Sequence, residues 1–206
     1  MRPLKFIDYD ANTHVSSPIT STPVVKLYSK LILLIAALLL SNASYADNFD
    51  VREYTLKAVF LERFTRFIDW PEDTSQENSP ESFIINVIGN PEFSALLRNI
   101  YQTQQIQGKR VTIQDINNPS EIQAPHLLFI SDTSDETLTS ILKQTQNTPT
   151  LTVSDTEGFA EKGVMINFFM SRKQKIRFEI NELAFKESEL YISYKLLSVA
   201  KIVGGE

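Results

Sequence analysis

Three short, nearly continuous apolar runs constrain this chain more than any other feature: Phe83 to Ile88, His126 to Ile130 and Thr150 to Val153. The first two are apolar at nearly every position and the third, Thr-Leu-Thr-Val, is short and uncharged, which marks strands buried on both faces. Such strands belong to parallel sheets with helices on either side. The intervening segments fit that role. Arg52 to Phe67 places Leu56, Val59, Phe60, Phe64 and Phe67 on one helical face, predicting an amphipathic helix with Arg63 and Arg66 toward solvent. Trp70-Pro71 should end it, because the residue before a proline disfavours helix. Glu72 to Glu81 reads as a polar loop. After Gly89-Asn90-Pro91, the spacing of Phe93, Leu96, Leu97 and Ile100 predicts a helix from Phe93 to Tyr101. Arg110 to Gln114 alternates Val111 and Ile113 with polar residues, as a half-exposed strand does. Ser131-Asp132 is placed to cap a helix over Glu136 to Lys143, with Leu138, Ile141 and Leu142 inward.

Met165 to Met170 and Lys175 to Ile180 predict two strands around the turn Ser171-Arg172-Lys173-Gln174. In the second, Ile176, Phe178 and Ile180 should point inward and Arg177 and Glu179 outward. Asn181 is a plausible N-cap for a final helical region whose buried stripe is Leu196, Leu197, Ala200 and Val203. Strands alternating with short helices imply an α/β fold. The expectation is a single-domain sandwich with a largely parallel central sheet, flanking helices and a C-terminal antiparallel hairpin.

The amino-terminal part has another purpose. Lys26 and Lys30 precede an apolar run from Leu31 to Leu40, and small residues at Ser44 and Ala46 suit signal-peptidase cleavage. Residues 1–46 therefore read as a signal peptide with a long polar extension, cleaved between Ala46 and Asp47, and 47–206 as one α/β domain destined for the periplasm. A helix over that run would rise only about 15 Å, roughly half a bilayer's hydrocarbon thickness. Without Arg2, Lys5, Lys26, Lys30, Asp8 and Asp10, the remaining part holds 23 acidic and 16 basic residues, a net charge of −7. So acidic a domain is a poor nucleic-acid binder.

Composition also excludes chemistries. There is no cysteine, so disulfides, thiol nucleophiles and cysteine-bound metals are out. Of two histidines, His14 falls in the export segment, which leaves His126 alone and rules out a multi-histidine metal site within the chain. No Gly-x-Gly-x-x-Gly, Walker loop or Gly-x-Ser-x-Gly elbow occurs. His126 opens a buried strand after Pro125, where backbone hydrogen bonding is its default role and catalysis the lesser alternative. No catalytic set and no cofactor are expected. Asp155 and Glu157 follow a strand's carboxyl end, where open α/β sheets place ligands. They could hold a cation or basic ligand, although a turn role for Asp155 is the stronger reading. Arg177 and Glu179 either pair on a solvated face or line a recognition patch.

Six pieces then stand in order: EYTLKAVFLERFTRFIDWP, FIINVIGNPEF, HLLFIS, LTVSDTEGFAEKGVMINFF, IRFEIN and LLSVAKIV. Together, behind a signal peptide, they resemble the YfiR family of periplasmic proteins from Glu53 to Val203. The resemblance implies a regulator that binds the periplasmic domain of an inner-membrane diguanylate cyclase and represses it, lowering cyclic di-GMP and biofilm formation. The alternative is a periplasmic small-ligand sensor acting on a membrane histidine kinase, and a homodimer is open as the working unit. Relatives often carry a cysteine before the histidine of HLLFIS, where Pro125 stands here, so thiol redox control is impossible in this chain. Glu189 also replaces a frequent glycine, so the last helix is expected to start differently. The expected partner- or ligand-binding residues are Asp155, Glu157, Phe159, Asn167, Phe168, Arg177, Glu179 and Asn181.

Overall fold

The computed structural model describes residues 51–71, 82–131 and 133–205, all within one unit of the chain, residues 48–206. The expected signal peptide over residues 1–46, the segment 72–81 expected as a polar loop and the expected cap residue Asp132 lie outside the described residues. Helix α1 occupies residues 51–65. It is followed by β1 (Ile68–Asp69), β2 (Ser82–Ile88), α2 (Pro91–Tyr101), β3 (Gln105–Ile106), β4 (Lys109–Ile116), a 3-10 turn at Pro119–Glu121, β5 (Leu127–Ile130) and α3 (Asp135–Thr145). Then come β6 (Leu151–Ser154), β7 (Ile166–Met170), β8 (Ile176–Asn181), α4 (Glu182–Lys186), β9 (Tyr191–Ile192), α5 (Tyr194–Leu197) and β10 (Lys201–Val203).

Eight strands form one sheet in the order β10-β8-β7-β6-β5-β2-β4-β3. All neighbours are parallel except β7 with β8 and β3 with β4. The expected α/β class, mostly parallel sheet, flanking helices and late antiparallel hairpin are all present. β2 connects to β4 on one side, whereas β5 leads to β6 and β7 on the other. The chain thus reverses direction between β2 and β5, and the strand ends there flank the crevice where α/β sheets hold ligands. One face of the sheet packs Phe83, Ile85, Phe129, Val153, Phe168 and Phe178 beneath α1 and α2. The other packs Ile88, Leu128 and Ile130 against Leu138, Ile141, Phe159 and Val164.

Local chemistry sets the ends. Asn90 Oδ1 accepts from the Phe93 amide at 2.8 Å, and Pro91 opens α2 with its φ already helical. The cap of α3 is Ser134, whose Oγ accepts from the Thr137 amide at 3.2 Å, rather than Ser131-Asp132. Asn181 does act as an N-cap, accepting from the Ala184 amide at 2.9 Å.

Three expectations need correction. Helix α1 stops at residue 65, before Trp70-Pro71, because Ile68–Asp69 pairs with Ile192 and Tyr191 and the Ser193 amide donates to Phe67 O. Its buried stripe is Lys57, Ala58, Leu61, Phe64 and Thr65, while Leu56 and Val59 are 45% and 44% exposed. The region after Asn181 is not one helix. Short α4 and α5 are separated by β9, and residues 201–203 become a strand because the outer edge of β8 recruits them in parallel register. Leu196 is buried on α5, whereas Val203 sits in β10 and is half-buried.

Candidate functional site

The first polar cluster lies at the strand ends beside the reversal point. Lys57 projects from the buried stripe of α1, and its Nζ stands 2.7 Å from both Asp155 Oδ2 and Glu53 Oε1. Asp155 follows β6, and Ser131, which follows β5, donates from Oγ to Asp155 Oδ1 at 3.5 Å. Tyr54, one turn from Lys57, lies close enough to Asp155 and Ser131 for both to act on its phenol, and the ammonium sits 4.3 Å from its ring centroid. Burial, the largest influence, would lower the Lys57 pKa, but Asp155 and the hydrogen bonds to Asp155 and Glu53 overcome it and hold the value above the usual lysine range. Burial and the Asp155 charge raise the Tyr54 phenol as well. Both groups stay protonated at neutral pH, so neither is a nucleophile or a general base. Asp155 is thus an ion-pair partner. The turn role expected for it belongs to Ser154, whose Oγ accepts from the Thr156 amide at 3.1 Å.

The second cluster crosses the strands on the opposite face of the sheet. Register aligns Ser154 of β6 with Asn167 of β7, Asn167 with Glu179 of β8, and Glu179 with Lys201 of β10. Glu179, expected to face water, is 4% exposed. Its Oε1 accepts from Asn167 Nδ2 at 3.3 Å and its Oε2 from Lys201 Nζ at 2.8 Å. The reason is β10, absent from the sequence reading, which brings Lys201 alongside. The Asn167 Oδ1 is buried and accepts no hydrogen bond from the described residues. Arg177 is exposed one pleat away and opposite Phe169, over whose ring Lys201 Nζ also lies, 5.7 Å from the centroid. Asn181 closes the row by donating from Nδ2 to Ala160 O at 2.7 Å, which ties the loop after β6 to the end of β8.

Of the expected site residues, Asn167, Arg177, Glu179 and Asn181 therefore share one sheet face. Asp155 stands in the other cluster, and Glu157 is exposed on the loop between them. Phe159 and Phe168 are each 2% exposed, one in each hydrophobic core. They position the loop and strand rather than present rings to solvent. His126 Nδ1 accepts from the Ile84 amide at 3.0 Å, and its ring stacks on Phe83 at 4.6 Å, the backbone role expected for it. Burial, then the Lys109 charge, lower its pKa. Tyr54, Lys57, Ser131 and Lys201 were missed. Lys57 was findable: positions 57, 61 and 64 fall on one helical face, and a lysine there needs a buried counter-charge. Among the described residues, no three His, Asp or Glu side chains converge to hold a metal, and no helix is long and apolar enough to cross a membrane.

Fold and clusters define an α/β domain whose buried charged side chains, Lys57 and Glu179, are both held by opposite charges. The YfiR/HmsC-like family matches residues 54–201, from α1 to the first residue of β10. The chain belongs to that family. No curated protein matches it. Solved structures do match, among them one from Bacteroides fragilis provisionally named as an NADP oxidoreductase. It is 17% identical, with a TM-score of 0.31, over 53% of this chain and 59% of that one. The chain thus spans less than two thirds of that protein, and so loose a likeness carries no functional argument.

Proposed function

We propose that this chain is a periplasmic regulatory protein, without catalytic activity of its own, that binds the periplasmic domain of an inner-membrane diguanylate cyclase and represses it. The observation that carries this reading is the family match over residues 54–201. The signal-peptide pattern over residues 1–46 supports the location. A repressor of this kind needs a surface whose binding free energy differs between two states of its partner. The β7–β8 polar face suits that demand. It offers an exposed Arg177 and a half-buried Phe169, held in place beside the buried Asn167 and Glu179. Arg177, Glu179, Asn167 and Asn181 form or support the contact, Glu157 borders it, and Phe159 and Phe168 hold its frame. Asp155 fixes α1 to the strand ends.

Deletion of the gene should raise cytoplasmic cyclic di-GMP and biofilm formation, and the wild-type chain should restore both. Unchanged cyclic di-GMP would refute the proposal. A cleft of ≈ 440 Å³ between α3 and α4 favours a second reading, a small-ligand sensor acting on a membrane histidine kinase. In that case the purified protein alone would show saturable ligand stabilisation, and deletion would alter kinase output with cyclic di-GMP unchanged.

A further inference from the structure

We propose that the tip of the β7–β8 hairpin docks on an anionic lipid surface, the phosphate headgroups of a membrane bilayer. This goes beyond the regulator reading, because it concerns where the chain rests, whichever partner it serves. Register shows how the tip is presented. β6 pairs with Ile166 and Asn167 alone in β7, and β10 pairs with Glu179, Ile180 and Asn181 alone in β8. Residues 168–178 therefore form a two-stranded ribbon with no further strand beside it among the described residues. α1 covers one face of the ribbon near its base, where Phe60 lies 5.9 Å from both Phe168 and Phe178. Farther out on that face Met170 pairs with the half-buried Ile176, and Met170 is 36% exposed.

Charge selects what the tip meets. Residues 162–178 hold five basic side chains and no acidic one, within an expected mature part, residues 47–206, of net charge −7. Lys162 is matched by Asp135, with Nζ 2.6 Å from Oδ1. Arg172, Lys173, Lys175 and Arg177 are exposed, and no side-chain hydrogen bond or ion pair holds any of them among the described residues. The buried carboxylates at the ribbon's base, Asp155 and Glu179, are taken by Lys57 and Lys201. Lysines on a strand edge can serve only to keep a sheet from pairing with another chain. Arg172, Lys173 and Lys175 instead lie in the turn between the strands, where there is no edge to block. Acidic groups on a protein have set positions and reward donors that are held in place, as these are not. Lipid headgroups move to meet mobile charges. Cations beside an exposed apolar pair suit that surface, with charge drawing the tip to the headgroups and Met170 and Ile176 covered beneath them.

Sedimentation of the purified protein with vesicles tests this, using phosphatidylethanolamine with phosphatidylglycerol, phosphatidylcholine alone, and soluble polyglutamate as a competing acidic polypeptide. The protein should bind the phosphatidylglycerol vesicles, leave them at high salt and ignore the phosphatidylcholine ones. Each basic residue near an anionic bilayer is worth about fivefold in partition. Arg172→Gln, Lys173→Gln and Lys175→Gln together should therefore weaken binding about a hundredfold, in a variant that shares the wild-type amino terminus. The same loss of charge elsewhere, Lys143→Gln with Lys186→Gln and Lys195→Gln, should change it less than about threefold, and an unmoved urea midpoint in both variants checks that they fold. No binding to phosphatidylglycerol vesicles, equal binding to both kinds, or equal weakening by the two triple variants would each overturn the proposal. So would binding to polyglutamate without binding to vesicles, which would mark an acidic protein as the partner. None of these results bears on the effect of gene deletion on cyclic di-GMP, so the two readings fail separately.

Discussion

The two faces of the β7–β8 hairpin are built from alternate residues of the same strands, yet they are stabilised in different ways. On one face Phe168 and Phe178 meet Phe64 of α1, with ring centroids 5.6 and 4.9 Å from it, and Ile180 is fully buried beside them. On the other, Asn167, Glu179 and Asn181 are just as buried but lie under the loop after β6 and beside β10. The aromatic face draws its stability from area and close packing, which tolerate a change of apolar residue. The polar face draws it from directed hydrogen bonds and one ion pair, which tolerate no loss of a partner. Stability alone needs only the first kind, and the second holds donors and acceptors at fixed positions.

Substitutions can break this contrast, and the largest effect belongs to the packed face. Phe168→Ala should cost about 3–5 kcal/mol, read as a fall in the urea midpoint, and Phe168→Leu much less. Close behind is Asp155→Ala, at about 3 kcal/mol, because Lys57 loses its deeper counter-charge while 6% exposed. The double change Lys57→Met with Asp155→Leu should recover most of that loss, which would show that the pair is costly to break rather than stabilising in itself. On the polar face, Glu179→Ala should cost about 2 kcal/mol, with no apolar substitute restoring it. Gly204→Ala should cost about 1–2 kcal/mol. The residue has φ +68°, and its Cβ would stand 2.4 Å from the Asn181 Oδ1 that caps α4.

The smallest expected effect concerns pH. His126 is held below its ordinary 6.5 by burial, so the folded state binds fewer protons than the unfolded one in that window. Its contribution to stability is complete above about 6.5 and is lost as pH falls from there through the folded value. The urea midpoint should therefore drop less between neutral and mildly acidic pH in His126→Gln than in the wild type.

What the sequence conveyed follows the same division. Residues 83–88, 127–130 and 151–154 were legible because strands buried on both faces read as apolar runs, and the β7–β8 alternation placed Phe178 and Ile180 correctly. The hidden parts were those defined by a partner. β1, β3 and β9 are two residues long and exist only through pairing. Lys201–Val203 reads as the end of a helical stripe until the edge of β8 claims it. Glu179 was assigned to the right strand face, but nothing local reveals that Lys201 would arrive to neutralise it. Lys57 could be placed on the buried helical face, but its counter-charge Asp155 lies 98 residues away, so the pairing itself was hidden.

The central claim is that the polar face of β7–β8 recognises another protein. Calorimetric titration of the purified protein with the periplasmic domain of the proposed diguanylate cyclase partner tests it most directly, using the wild type and Arg177→Glu, a change at an exposed position. The account predicts saturable binding that the charge reversal weakens about tenfold or more. Equal affinity of the two proteins, or no binding by either, would contradict it.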